Sequence, residues 1–174
     1  YRARFVLIGS MNPEEGQLRP QIMDRFGLRV SVHGLEAEND RLLVYRRVRE
    51  YRANPRAFLH AWAEDGYWAR EDVIAARELL PSVELSSEVQ SLGIRLIQEL
   101  GIDSHRAEFT MFEAARAQAA ADGRNVATLN DLRVVAPMAL RQRRSDFMKT
   151  FFAAQAREDE LITTLVDQLE NDHK

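Results

Sequence analysis

The chain has 174 residues, 45% hydrophobic and 29% charged, with a formal net charge of −3 and no cysteine. These values describe a globular domain or two small ones. They exclude a disulfide framework and thiolate chemistry, and give no global electrostatic case for nucleic acid or a membrane surface. No apolar run approaches the ~18 residues of a membrane span.

Charge is uneven along the chain, since residues 145–174 carry seven acids and three bases. The tail reads as a solvated acidic segment. The first four residues, YRAR, carry no signal peptide and lead into an apolar run. With no initiator methionine, the sequence reads as a fragment of a longer protein, and the absence of cysteine fits a reducing cytoplasm.

In chain order, Phe5–Gly9 is a continuous apolar run bounded by Gly and Ser, the pattern of a strand buried on both faces. Leu28, Val30 and Val32 alternate with polar residues and predict a second strand over 28–33. Between the two, residues 19–25 fit a short helix with Pro20 in its first turn. Two strands make no stable sheet alone, so their partners are expected upstream.

From Glu36 the pattern is helical. Leu42, Leu43, Val48 and Tyr51 form a stripe that ends at Asn54-Pro55. Short helices follow over 58–62 and 67–80, the second stopped by Pro81. Ser87 with Gln90 predicts a capping box opening a helix to Leu100, closed by Gly101. An alanine-rich helix over 107–121 stops at Asp122-Gly123. Thr128 and Asp131 cap a further helix running towards Arg144, with Pro137 inside it. Phe147 to Leu169 has the spacing of an amphipathic helix.

Chemistry concentrates after the first strand. Asn12 lies just past a strand's carboxyl end, where functional groups gather in parallel α/β sheets. Its amide can donate to a phosphate oxygen and accept from water. Arg25 follows in the short helix, and its planar fork suits phosphate. Each has a plain structural reading too: Asn12 as a turn residue before Pro13, Arg25 as a surface ion-pair partner of Asp24. Glu14 and Glu15 read as a solvated loop, the four histidines are too far apart for a metal site, and Trp62, Tyr67 and Trp68 read as core between helices. The basic face of Arg41, Arg46, Arg47, Arg49 and Arg52 is offset by nearby acids and reads as solvated or subunit-facing.

The runs FVLIGSMNPEEG over 5–16, LRPQ over 18–21 and DRFGL over 24–28 resemble the ATPase (I) subunit of magnesium chelatase, a member of the AAA+ class. The likeness continues through RRVREY over 46–51, NPRAF over 54–58, ARELLP over 76–81 and AARAQAA over 114–120, and covers residues 4 to about 143. It implies a mainly α chain: the end of an AAA+ α/β ATPase core with two strands over 1–34, a helical lid bundle over 35–144 and an amphipathic helix over 145–174. It implies that Asn12 is the sensor-1 residue, that Arg25 is an arginine finger reaching the ATP of the next subunit, and that Arg106 is the sensor-2 residue of the lid. Asp24 and Arg19 stand as supporting residues.

The sequence departs from the family at His105 and Ala107, where Leu and Gly are usual, and it lacks a Gly-x-x-x-x-Gly-Lys-[Ser/Thr] loop and a strand ending in an acidic pair. ATP and Mg²⁺ are therefore expected to be held mainly by upstream sequence, and this stretch alone is expected to be inactive. The resemblance further implies a homo-oligomeric, hexameric ring that works with a second AAA+ subunit and a large porphyrin-binding subunit. ATP hydrolysis would drive Mg²⁺ insertion into protoporphyrin IX for chlorophyll or bacteriochlorophyll, in a bacterial cytoplasm or plastid stroma, without nucleic acid or membrane. Rival readings are a MoxR-like or chelatase-like remodelling ATPase and a non-hydrolysing AAA+ scaffold.

Overall fold

A computed structural model describes residues 5–12, 14, 16, 19–143, 150, 154–155 and 157–164. The chain is mainly helical. Its helices are α1 (Pro20–Met23), α2 (Glu38–Ala53), α3 (Pro55–Ala61), α4 (Ala63–Leu79), α5 (Ser87–Glu99), α6 (His105–Ala121) and α7 (Leu129–Leu140). Two short strands, β1 (Glu84–Leu85) and β2 (Val126–Ala127), pair in parallel with Glu84 opposite Val126.

Local signals place most boundaries. Asn54 ends α2, and its side chain accepts from the Ala57 amide to cap α3, with Pro55 at the first position. α3 therefore starts at Pro55, three residues before the expected Phe58. Gly101 and Gly123 hold positive φ of 61° and 70° behind α5 and α6, a backbone state that glycine enters without a Cβ clash. The cap of α5 is Ser86, whose hydroxyl accepts from the Val89 amide at 3.2 Å, and not the expected Ser87 box. α6 opens two residues before Ala107 and α7 ends at Leu140, short of Arg144.

α6 organises the core. Ala107, Met111, Ala115 and Ala119 recur every fourth residue and are wholly buried. Small side chains along one such ridge let neighbouring helices approach closely. α7 adds Leu132, Val135 and Ala139, and α5 adds Val89 and Ile97. Arg116 of α6 reaches back to the carbonyls of Val83 at 2.8 Å and Leu80 at 3.0 Å, tying the end of α4 to the bundle.

Three expectations are corrected. Residues 5–9 and 28–33 form no strand among the described residues, where Phe5, Val6 and Ile8 are 79–89% exposed. A strand needs neighbours to satisfy its ladder, and the described chain supplies none at this edge. Trp62, Tyr67 and Trp68 are 39–58% exposed and do not lie in the core: Trp62 follows α3, Tyr67 and Trp68 lie on α4, and neither these helices nor α2 buries a residue. There the aromatic groups meet each other instead: Phe58 lies against Tyr51 and Trp62, and Arg47 stacks on Trp62 at 4.6 Å. Of the amphipathic helix expected over 147–169, residues 150, 154–155 and 157–164 are helical, and the rest of it lies outside the described residues.

Candidate functional site

α1 and the turn after it carry Asp24, Arg25, Phe26 and Gly27 to the start of α6. The turn closes by local bonds, Arg25 N to Ile22 O at 3.0 Å and Phe26 N to Met23 O at 3.1 Å. Gly27 lies so close to Thr110 of α6 that a Cβ there would meet the Thr110 methyl at 3.3 Å. Asp24, Arg25, Gly27, His105, Arg106, Phe109 and Thr110 line an open cleft of about 490 Å³.

Asp24 is the hub of this cleft. Its carboxylate accepts from Arg106 at 3.2 Å and Arg143 at 2.8 Å, with Ser104 Oγ at 3.5 Å. Arg106 is mostly exposed, whereas the side chain of Arg143 is 1% exposed. Burial pushes the Arg143 guanidinium pKa down, and Asp24 opposes that shift. Arg25 is exposed and has no partner among the described residues, so the ion pair with Asp24 that the sequence allowed is not formed. His105 bonds Glu108 within α6 at 3.1 Å.

The sequence-derived residues separate into two groups. Arg25, Asp24 and Arg106 come together around one opening, although Arg25 and Arg106 are 81 positions apart in the sequence. The resemblance implies that Arg25 reaches the ATP of the next subunit and that Arg106 touches the γ-phosphate of its own, and here the two share a cleft. Asn12 is exposed, and its Oδ1 accepts from the Glu14 amide at 3.3 Å, the geometry of a turn residue. Arg19 is exposed and its carbonyl accepts from the amides of Ile22 and Met23, so its backbone opens α1.

Arg143 was missed. It stands in the basic run RQRR of 141–144, which has the look of a solvated helix end, and its partners lie 116 to 119 residues away. Among the described residues no group of three His, Cys, Asp or Glu could hold a metal ion. No helix among them is long and apolar enough to cross a membrane.

The AAA lid domain family model matches residues 92–165. A crystal structure of a candidate ATPase from Cytophaga hutchinsonii superposes with a TM-score of 0.52 at 20% identity, over 74% of this chain and 41% of that one, which shows the fold alone. Residues 92–165 are thus similar to an AAA lid domain, and the chain has a fold seen in that structure.

In sequence it is similar to magnesium-chelatase subunits. It is 46% identical over 83% of its length to the magnesium-chelatase subunit ChlI homolog of Methanocaldococcus jannaschii, covering 40% of that protein. It is 40% identical over 94% of its length to the magnesium-chelatase 38 kDa subunit of Chlorobaculum parvum, covering 47% of it, and 45% identical over 81% to that of Acidiphilium rubrum, covering 41%. The chain thus spans less than half the length of these relatives.

Proposed function

We propose that this chain is the lid-bearing part of the ATPase subunit of a magnesium chelatase, which couples ATP hydrolysis to insertion of Mg²⁺ into protoporphyrin IX. Residues 1–34 then complete an α/β core, and 35–144 form the lid. The observation that carries the reading is the convergence of Arg25 and Arg106 on one cleft, in a chain homologous to chelatase subunits over most of its length.

The residues present fit an anionic ligand in part. Two exposed guanidiniums face the cleft, and each can fork onto phosphate oxygens. The Asp24 carboxylate already pairs with Arg106, so a phosphate has to compete with it. ATP supplies the transferable phosphoryl group. Arg106 would bind and orient its phosphates, Arg25 would offset charge that develops on the transferring group, and Asn12, which does not line this cleft, would orient the attacking water. The ligands for the Mg²⁺ that accompanies ATP belong outside the described residues. A shared cleft favours both arginines acting on one nucleotide. Ring assembly with the other chelatase subunits follows from the same reading, because a finger needs a neighbour's ATP.

The test is reconstitution. The full-length protein, mixed with the second AAA+ subunit, the porphyrin-binding subunit, ATP and Mg²⁺, should metallate protoporphyrin IX, read by the fluorescence shift of the product. ATP turnover without metallation would favour the remodelling ATPase, and absence of turnover would favour the scaffold.

A further inference from the structure

The segment that carries Arg25 is joined to the far end of the lid by two buried arginines that reach in opposite directions. Arg143, just beyond α7, donates from Nη1 to Asp24 at 2.8 Å and from Nη2 to the carbonyls of Gly27 at 3.0 Å and Phe26 at 3.3 Å. Its Nε donates to Ala139 O at 2.6 Å, which fixes the guanidinium against the last turn of α7. Arg29, just beyond the Arg25 turn, donates to Arg141 O at 2.6 Å and to Met23 O. Its backbone amide donates to Met138 O at 2.9 Å. Gln142, between Arg141 and Arg143, holds a φ of 56°, a state that L-residues other than Gly, Asn and Asp seldom enter. That left-handed residue turns the chain back so that Arg143 points towards Asp24.

This arrangement does more than hold the segment after α7. Arg143 grips the residue before Arg25 and the two residues after it, and leaves Arg25 itself free to face the cleft. Lysine could keep the charge but not the three-way fork, because an ammonium is a compact point donor on a flexible stem. The bonds join residues 23–29 to residues 138–143, so a displacement of α7 has to drag the Arg25 turn with it or break several half-buried hydrogen bonds at once.

We propose that Arg143 is a positioning residue, fastening the turn that presents Arg25 to the end of α7 so that lid and arginine finger move as one body. This rests on the chelatase-motor reading of Arg25 given above. Val89 and Ile97 of α5 and Met111 and Ala115 of α6 are buried in the core, so loss of the clasp can be read apart from loss of the fold.

The experiment compares full-length wild type, Arg143→Met, Arg143→Lys and Arg25→Ala by hydrogen exchange and by steady-state ATP hydrolysis. Arg143→Met should lower exchange protection of residues 24–29 by about tenfold or more while α5 and α6 keep theirs, since only the local opening is freed. Its kcat should fall at least about tenfold with KM for ATP within about twofold, because the finger is misplaced and ground-state binding is not. Arg143→Lys should recover part of both losses. Unchanged protection over 24–29 in Arg143→Met overturns the clasp. Normal kcat in Arg143→Met alongside suppressed turnover in Arg25→Ala overturns the coupling but leaves the finger standing. Normal turnover in Arg25→Ala sinks the parent reading instead, and the exchange arm then still reports on the clasp.

Discussion

Arg124 grips both carboxylate oxygens of Asp131, with Nη1 at 2.8 Å from Oδ2, and so ties the turn behind α6 to the first turn of α7. Asp131 also accepts from the Thr128 amide at 2.7 Å and the Thr128 hydroxyl at 2.9 Å, while its side chain is 1% exposed. The Arg124 fork holds its carboxyl down from 3.8 to about 2, with burial opposing and Thr128 adding to the effect. The folded state therefore binds this proton less readily than the unfolded one. The stabilisation is complete above about pH 4 and fades as pH falls towards 2, with a total of about 2 kcal/mol. Asp131→Asn should lose about 2–4 kcal/mol at pH 7, since it removes the buried carboxylate that Arg124 grips, leaving only the exposed Asp122 at 2.8 Å, and weakens the cap. Denaturant midpoints between pH 2 and 7 check this. Equal acid sensitivity in wild type and Asp131→Asn would show that Asp131 contributes nothing.

Gly93 of α5 lies tightly against Phe112 and Met111 of α6. A Cβ there would stand 2.5 Å from the Phe112 ring and 3.0 Å from the Met111 terminal methyl. Alanine gains about 1 kcal/mol of helix propensity over glycine, but overlap of this size forces a ring of the core to shift. We expect Gly93→Ala to destabilise the protein by about 1–2 kcal/mol net. Phe112→Leu in the same background should recover part of the loss, seen as a non-additive double-mutant cycle in urea.

Arg106 pairs with Asp24 at the surface, where both side chains are more than a third exposed. Such a pair contributes about 0–1 kcal/mol, so Arg106→Ala should leave the melting temperature of the full-length protein nearly unchanged. Under the proposed reading the same variant loses most of the extra stabilisation that ATP gives the wild type, measured by thermal shift with and without nucleotide. A full ATP-dependent shift in Arg106→Ala would make it an ordinary surface arginine.

What the sequence could disclose follows from how far each signal reaches along the chain. Asn54-Pro55, Gly101, Gly123 and the Thr128–Asp131 cap act within a few residues, and the helices begin or end beside them. The β1–β2 pair joins residues 42 positions apart with two residues on each side, too short for any periodic pattern. The apolar run 5–9 has a strand's composition, but pairing is a property of neighbours and not of the run. Trp62 and Tyr67 look like core by type, yet neither α3 beside Trp62 nor α4, which carries Tyr67, buries a residue. Around the cleft, residue chemistry identified Arg25 and Arg106. It could not identify Arg143, whose significance comes only from bonds to residues more than a hundred positions away.

The two cleft arginines differ in one respect that decides how to test them. Arg106 has Asp24 as a partner, while Arg25 has none among the described residues. An exposed side chain without contacts can be removed at a cost within about 0.5 kcal/mol, so Arg25→Ala should fold and bind ATP as wild type does. Turnover should nevertheless fall by about 10³-fold or more if the guanidinium stabilises transferring phosphoryl charge on a neighbouring subunit. Mixing separates the two geometries. Arg25→Ala subunits can still bind ATP, and subunits with the finger but a disabled nucleotide pocket cannot. If Arg25 acts across an interface, the mixture recovers turnover that neither variant shows alone. If it acts on its own subunit's ATP, the mixture stays inactive. Because Arg106 lines the same cleft, Arg106→Ala taken through the same mixing protocol should follow Arg25→Ala, and opposite outcomes for the two would mean that the cleft divides between subunits when nucleotide binds.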